Sequence, residues 1–327
     1  MSEMNTTNTV PAKPITVGRI LGHRAAGDVG IEIEVEAKDP LPEAIPQPWL
    51  VKVDNSLRGH AREYCTSKAI LCDGNLLTTV QSLTGLFNQK SIIHDSTRTS
   101  LHVHVNITRH TPLQLWTAVT AYWMLENALV KYCGEDYREG NVFCLRVADA
   151  ERLVFSALHA IDSKDIFDGL HGENLKYAGQ NLNAITNYGS LEYRTMKGTV
   201  DPAVITLWTQ EMYNIVHRSK RFRNPADVMD TYRRDGAEAF ANAVLSSSFV
   251  SILKSYGDVN ALVRQNVGLL LPLCYHTDWS AWEESVNKRY AYLDAPKAKS
   301  PRASMIPPRR PLNAIMDEWA ASTVPRR

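Results

Sequence analysis

The sequence predicts an α+β fold, with a mainly antiparallel sheet and helices packed on one of its faces. Three observations lead there. Short segments place apolar residues at every second position, the period of a strand. Longer segments place them every three or four positions behind capping residues, the period of a helix. Short strands then run into long helices in the order typical of helices covering one face of an antiparallel sheet.

The elements follow in chain order. Residues 1–20, interrupted by Pro11 and Pro14, are expected to be a flexible leader. A turn at Gly27-Asp28 leads into a first strand ending near Val35. A connection with Pro40, Pro42, Pro46 and Pro48 precedes a second strand over residues 49–53. Asp54-Asn55-Ser56 makes a turn, and residues 61–69 read as a third strand. Leu76, Leu77, Val80, Leu83 and Leu86 give residues 73–88 helical spacing. Residues 101–106 form the next strand. The clearest helix follows, with Thr111 as N-cap, Pro112 at N1, and Leu113, Trp116, Val119, Trp123 and Val130 on its repeat up to Gly134. Residues 150–160 are helical, and residues 162–188, rich in Gly and Asn, read mainly as loop. A strand holding Glu192 and Arg194 comes next. Asp201 and Pro202 then open a helix to about Arg218. A further helix is expected over residues 236–256, and residues 312–321 as a short docking helix in a tail rich in Pro and Arg.

Three of these strands have an unusual polar phase. Glu32, Glu34 and Glu36 alternate with Ile33 and Val35; His102, His104 and Asn106 alternate with Val103 and Val105; Glu192 and Arg194 flank Tyr193. Since successive side chains point to opposite faces, each polar set shares a face, and the apolar set turns to a core. If the strands share one sheet, its polar face gathers carboxylates, imidazoles and a guanidinium, the groups that bind a divalent metal and a phosphate. Taken singly, each strand also fits a solvated face or a sheet salt bridge. Glu36, at the strand end, is placed outside the set.

Composition excludes several classes. A formal net charge of +1 over 327 residues gives no electrostatic pull towards nucleic acid or a membrane surface. No apolar run approaches the ~20 residues of a membrane span, and residues 1–13 lack the apolar stretch of a signal peptide, so a cytoplasmic protein is expected. The cysteines at 65, 72, 133, 144 and 274 show no Cys-x-x-Cys spacing and are expected to be buried free thiols.

With these residues in view, the chain resembles the amidoligases of the glutamine synthetase-like carboxylate–amine ligase superfamily, relatives of glutamate–cysteine ligases. The likeness lies in the order of Ile31-Glu32-Ile33-Glu34, Asp54-Asn55-Ser56-Leu57 before Arg62-Glu63-Tyr64, Ser100-Leu101-His102-Val103-His104-Val105, and Leu191-Glu192-Tyr193-Arg194 before Gly198-Thr199. It spans about residues 28–218. Asn55 stands where the family usually has Gly, and no Ser-Pro-Pro pattern follows Ala69.

The resemblance implies a curved sheet in a glutamine synthetase-like catalytic domain over residues 21–294, with residues 295–327 as the tail. It implies an ATP- and Mg²⁺-dependent ligase, with Mn²⁺ as a substitute, that joins a carboxylate to an amine through an acyl phosphate. Glu32, Glu34, Glu63, His102 and Glu192 would ligate metal, and His104 would sit by the ATP phosphates. Arg194 would hold the transferring phosphoryl group and, with Glu63, serve catalysis. Lys176 and Asn183, with Asn181 nearby, would contact nucleotide or substrate, and Asp54, Arg58 and Arg62 border the same hairpin. The implied partners are a small-molecule, peptide or protein carboxylate and an amine donor; nucleic acid and membrane are not expected, and an oligomer is allowed. A carboxylate or guanidino kinase on the same fold, or a binding protein that has lost catalysis, remain alternative readings.

Overall fold

The computed structural model describes residues 14–24, 26–134, 138–170 and 173–293, with the side chains of 173 and 174 left out. The expected docking helix and the tail beyond residue 294 lie outside these residues, as does most of the expected leader. Within that leader, however, Thr16 caps a short helix α1 (Val17–Leu21), and Ile15 and Val17 are buried.

The strands form one six-stranded sheet in the order β2-β3-β1-β4-β6-β5. They are β1 (Val29–Ala37), β2 (Trp49–Lys52), β3 (His60–Thr66), β4 (Ser100–Asn106), β5 (Gln180–Asn181) and β6 (Ser190–Lys197). Every ladder is antiparallel. The apolar phase of the strands makes one face a core: Ile31, Ile33, Leu101, Val103, Val105, Leu191 and Tyr193 are all fully buried. Along the β4–β6 ladder, Val103 pairs with Tyr193 and Leu101 with Met196, so β6 holds one extra residue there.

Helices cover the apolar face. These are α2 (Leu76–Thr84), α3 (Pro112–Tyr132) and α6 (Pro202–Arg218); α4 (Arg152–Asp162) packs on the helical layer, and the short α5 (Asn183–Tyr188) against β6. α3 opens with a full capping box: Thr111 Oγ1 accepts from Gln114 N, and Gln114 Oε1 accepts from Thr111 N. Nearly every α3 side chain is buried, which a helix with neighbours on all sides requires. The sheet lies on one side. On the other lies α9 (Val259–Cys274), whose Asn266 donates to Trp123 O at 2.7 Å and accepts from Asn127 Nδ2 at 2.9 Å. In α6, Asp201 accepts from Ala203 N at 2.8 Å, as its N-cap position predicts.

Two expectations are corrected. Residues 236–256 are not one helix: α7 (Pro225–Val244) and α8 (Ser247–Tyr256) meet at a bend of 118°. Ser246 makes the break by accepting from Phe249 N and donating its hydroxyl to the buried Glu211 at 2.5 Å. Residues 162–188 are also more ordered than a loop, holding a 3₁₀ turn (Glu173–Tyr177), β5 and α5. α9 and α10 (Trp279–Tyr290) complete the bundle. Among the described residues no single helix is long and apolar enough to cross a membrane. The cysteines are free, four buried and Cys72 half-buried.

Candidate functional site

Strand register assembles the polar face. The β1–β4 ladder sets Glu32 opposite His102, the β4–β6 ladder sets His104 opposite Glu192, and the β1–β3 ladder sets Glu34 opposite Glu63. A one-residue slip in any ladder would turn these side chains to the helices, so the apolar phase that fills the core also fixes the site.

Glu32 is the hub. Its Oε2 lies 3.2 Å from His102 Nδ1 and its Oε1 3.6 Å from His104 Nε2. Glu192 sits across from it, with Oε1 3.7 Å from His102 Nδ1 and Oε2 4.0 Å from His104 Nε2. Arg194 Nη1 donates to Glu192 Oε1 at 2.6 Å, while its Nε is buried with no hydrogen-bond partner among the described residues. Asn181 donates to Glu192 Oε2 at 2.6 Å. Among the described residues two groups bring ligand atoms within 4.8 Å of one another: Glu32, His102 and Glu192, and Glu32, Glu63 and Cys65.

The electrostatics follow from these neighbours. Burial pushes Glu32 towards its neutral form, but hydrogen bonds to His102 and His104 and their charges outweigh it and hold the carboxyl well below the usual range. Glu192 is likewise lowered against its burial, by His104, Arg194 and His102. His104 is raised against its burial by Glu192 and Glu32. Glu63 behaves oppositely: burial first, then the charge of Glu32, pushes it up to about 6, although Lys52 lies 3.8 Å away. Burial and the same carboxylates push the Cys65 thiol up to about 12. The face is a crowd of negative groups whose neutralisation is incomplete at its Glu63 end.

A cavity of about 600 Å³ opens beside the cluster, with Glu32, Cys65, His104 and Lys52 in its wall and Arg24 and Lys68 at its margin. Gly30 lines it too, leaving the position next to Glu32 on the same strand face without a side chain. Tyr188 stands at the same wall with its ring edge-on to His104, centroids 5.6 Å apart. The chain turns sharply after Tyr188 through Gly189 at φ 69°, where a Cβ would meet Thr108 Cγ2 at 2.6 Å. That close approach brings α5 down onto β4.

The structure thus brings together Glu32, Glu63, His102, His104, Glu192 and Arg194. Glu34 is beside them, yet it belongs to neither ligand group; its Oε2 accepts from Ser100 N at 2.7 Å and Ser100 Oγ at 2.5 Å. Lys176 lies over the Tyr177 ring in the 3₁₀ turn, and Asn183 accepts from Asn187 Nδ2 at 3.2 Å within α5. Asn181, expected with them, donates to Glu192. Asp54 accepts from Ser56 N in its own turn, Arg62 is engaged by Glu43 at 2.6 Å, and Arg58 gives its backbone N–H to Glu36. Ser100, Ser190 (3.0 Å from His104 Nδ1), Lys52, Cys65 and Tyr188 were not singled out from the sequence. For Ser100 a signal was there: it continues the polar alternation of β4 by one step.

Fold and site define an α+β protein whose sheet presents carboxylates, imidazoles and an arginine on one face. Residues 70–216 match the family model described as "putative amidoligase enzyme", the family that the chain resembles on its motifs. The matched stretch holds His102, His104, Glu192 and Arg194; Glu32, Glu34 and Glu63 precede it. The match supports an amide-forming ligase. No curated protein matches the chain.

Proposed function

We propose that the chain is an ATP- and Mg²⁺-dependent carboxylate–amine ligase that forms an amide or isopeptide bond through an acyl phosphate. The observation that carries this reading is the convergence of Glu32, Glu63, His102 and Glu192 with Arg194 on one sheet face. Glu32, Glu192 and His102, two carboxylates and one imidazole with ligand atoms within 4.8 Å of one another, form a donor set that Mg²⁺ or Mn²⁺ can take, and Glu63 stands beside Glu32 in the neighbouring group. The cation supplies positive charge between two anionic reactants, the substrate carboxylate and the γ-phosphate.

The chain's own groups account for the rest. Arg194 is held in place by Glu192 and keeps an unpaired Nε donor, which suits it to grip phosphoryl oxygens. His104, its pKa raised by Glu192 and Glu32, stands beside it at the cavity wall. The cavity beside the cluster has room for a substrate, with Lys52, Lys68 and Arg24 to attract an anionic one.

The test is phosphate release from ATP with Mg²⁺, screened against pooled carboxylates and amines, for wild type and Glu32→Gln. We expect release only when both a carboxylate and an amine are present, and loss in the variant. Accumulation of phosphorylated acceptor without amide would turn the reading to a kinase, and no turnover or binding of ATP would leave a binding protein.

A further inference from the structure

Gly30 is the one glycine of β1, and the fold does not ask for it. Its φ lies outside the left-handed region, and a Cβ there would meet nothing closer than His104 Cβ at 3.4 Å and Thr66 Oγ1 at 3.7 Å, ordinary van der Waals contacts. β1 is an inner strand, with β3 on one side and β4 on the other. Glycine in such a strand lowers stability, and it often marks a place where a ligand approaches the backbone closely. Gly30 lies in the cavity wall, two residues and about 7 Å along the same strand face from Glu32.

The missing side chain leaves a trough in the cavity floor. His104 stands opposite Gly30 on β4, and on the β3 side Thr66 Oγ1 accepts from Ile31 N at 3.1 Å. The exposed side chains of Leu50 and Tyr188 give the wall its apolar surface. The start of β1 marks the end of the trough away from Glu32. Val29 pairs there with Ile70, and Ala69 packs on Gly27, which brings Lys68 to this end; Arg24 precedes the same turn. Two polar groups at this end are engaged by the fold: Asp28 Oδ2 accepts from Cys72 N at 3.2 Å, and Asn106 Nδ2 donates to Gly27 O at 2.6 Å. Arg24 and Lys68 are exposed and make no ion pair among the described residues.

We propose that the carboxylate substrate is a dianion with an apolar body. Its reacting carboxylate lies beside Glu32, its body runs over Gly30 between Leu50 and Tyr188, and a second anionic group, about 7 Å or more from the first, binds Arg24 and Lys68. The inference rests on the ligase reading of the preceding section and names the class of acid that the ligase takes. Gly30 then serves specificity by absence, since any side chain there would occupy the path of the substrate.

The experiment titrates the full chain calorimetrically with suberate, a dicarboxylate, and with octanoate, its singly charged match. Both titrations contain Mg²⁺ and are run with and without the non-hydrolysable nucleotide adenylyl imidodiphosphate. Wild type should bind suberate about tenfold more tightly than octanoate, the contribution of hydrogen bonds to a second charged group. Lys68→Glu and Arg24→Ala should erase that preference and leave octanoate within about twofold. Gly30→Ala should weaken both acids, yet raise Tm by about 1–3 °C because it removes a glycine from a strand. A merely structural glycine would not separate binding from stability in that way. Equal affinity for the two acids in wild type, a preference that survives both charge variants, or unchanged binding in Gly30→Ala overturns the inference and leaves the ligase reading to its own turnover test. Loss of suberate binding when the nucleotide is added also overturns it, since the trough would then hold the nucleotide. A suberate preference in a chain that turns over no ATP keeps the dianion site and overturns the ligase reading.

Discussion

Glu192 on the sheet and Glu126 on α3 are both buried carboxylic acids, and the protein holds them in opposite states. Beside His104, Arg194 and His102, Glu192 is lowered despite its burial. Glu126 is pushed up to about 8 by burial, which the Val147 N–H at 2.6 Å and the charge of Arg146 do not offset. Histidines show the mirror image. His104 is raised by Glu192 and Glu32, whereas His110, packed against His217 with ring centroids 5.1 Å apart, is lowered to about 3 by burial, Lys220 and His217. Depth is therefore not what marks the site. Counter-charges gathered by strand register favour the charged forms of Glu192 and His104, while Glu126 and His110, lacking enough of them, are pushed towards their neutral forms.

The largest break in that comparison should come from Arg194→Ala, which strips the sheet face of its guanidinium. Amide formation should fall by about 10²-fold or more, as measured by turnover at a temperature where calorimetry on the same preparation shows the variant folded, since losing the partner of the buried Glu192 also lowers thermal stability. Equal activity in the variant would remove the phosphoryl-binding role.

Next come the helical-layer groups, through pH. The folded Glu126 binds a proton that the unfolded chain releases above its ordinary pKa of about 4.3, so stability should decline as pH rises from there to about 8. The folded His110 refuses a proton that the unfolded chain takes up below about 6.5, so stability should decline as pH falls from there towards about 3. Urea unfolding across this range should show Glu126→Gln flattening the alkaline limb and His110→Phe the acid limb. Each change is on the order of 5 kcal/mol, at ~1.36 kcal/mol per pKa unit. Unchanged slopes would mean that both groups ionise in the fold.

The smallest effects separate two asparagines close in sequence. Asn181→Ala removes the donor on Glu192 Oε2 and should cost about 10-fold in activity. Asn183→Ala touches only α5 and should stay within about twofold. A reversed order would restore Asn183 to the site.

How much of this was legible depended on whether the signal was local. Glu32, His102, Glu192 and Arg194 stand at alternate positions on strands, and period two alone put each on the right face. The caps Thr111 and Asp201 sit in contiguous sequence and opened α3 and α6 as expected. What failed was non-local. Ser100 continues the polar alternation of β4, but its partner Glu34 is set only when β1 pairs with β4, and Asn181 and Asn183 cannot be ranked until β5 pairs with β6. The break after Val244 depends on Glu211, 35 positions away in the chain. The segments forming α9 and α10 carry no site chemistry, and their packing on α3 was not foreseen.

The extra residue of β6 has a consequence for anyone comparing or transplanting this face. After Arg194, two neighbours in sequence, Thr195 and Met196, are both buried, and Thr195 meets the Tyr122 hydroxyl at 2.5 Å beneath the sheet. The strand thus changes reading frame just past Arg194. An alignment that closes this single-residue gap would keep every motif letter in place yet shift the pairing with β4. A graft cut between Arg194 and Met196 would carry the guanidinium without the offset that ends the polar run behind it.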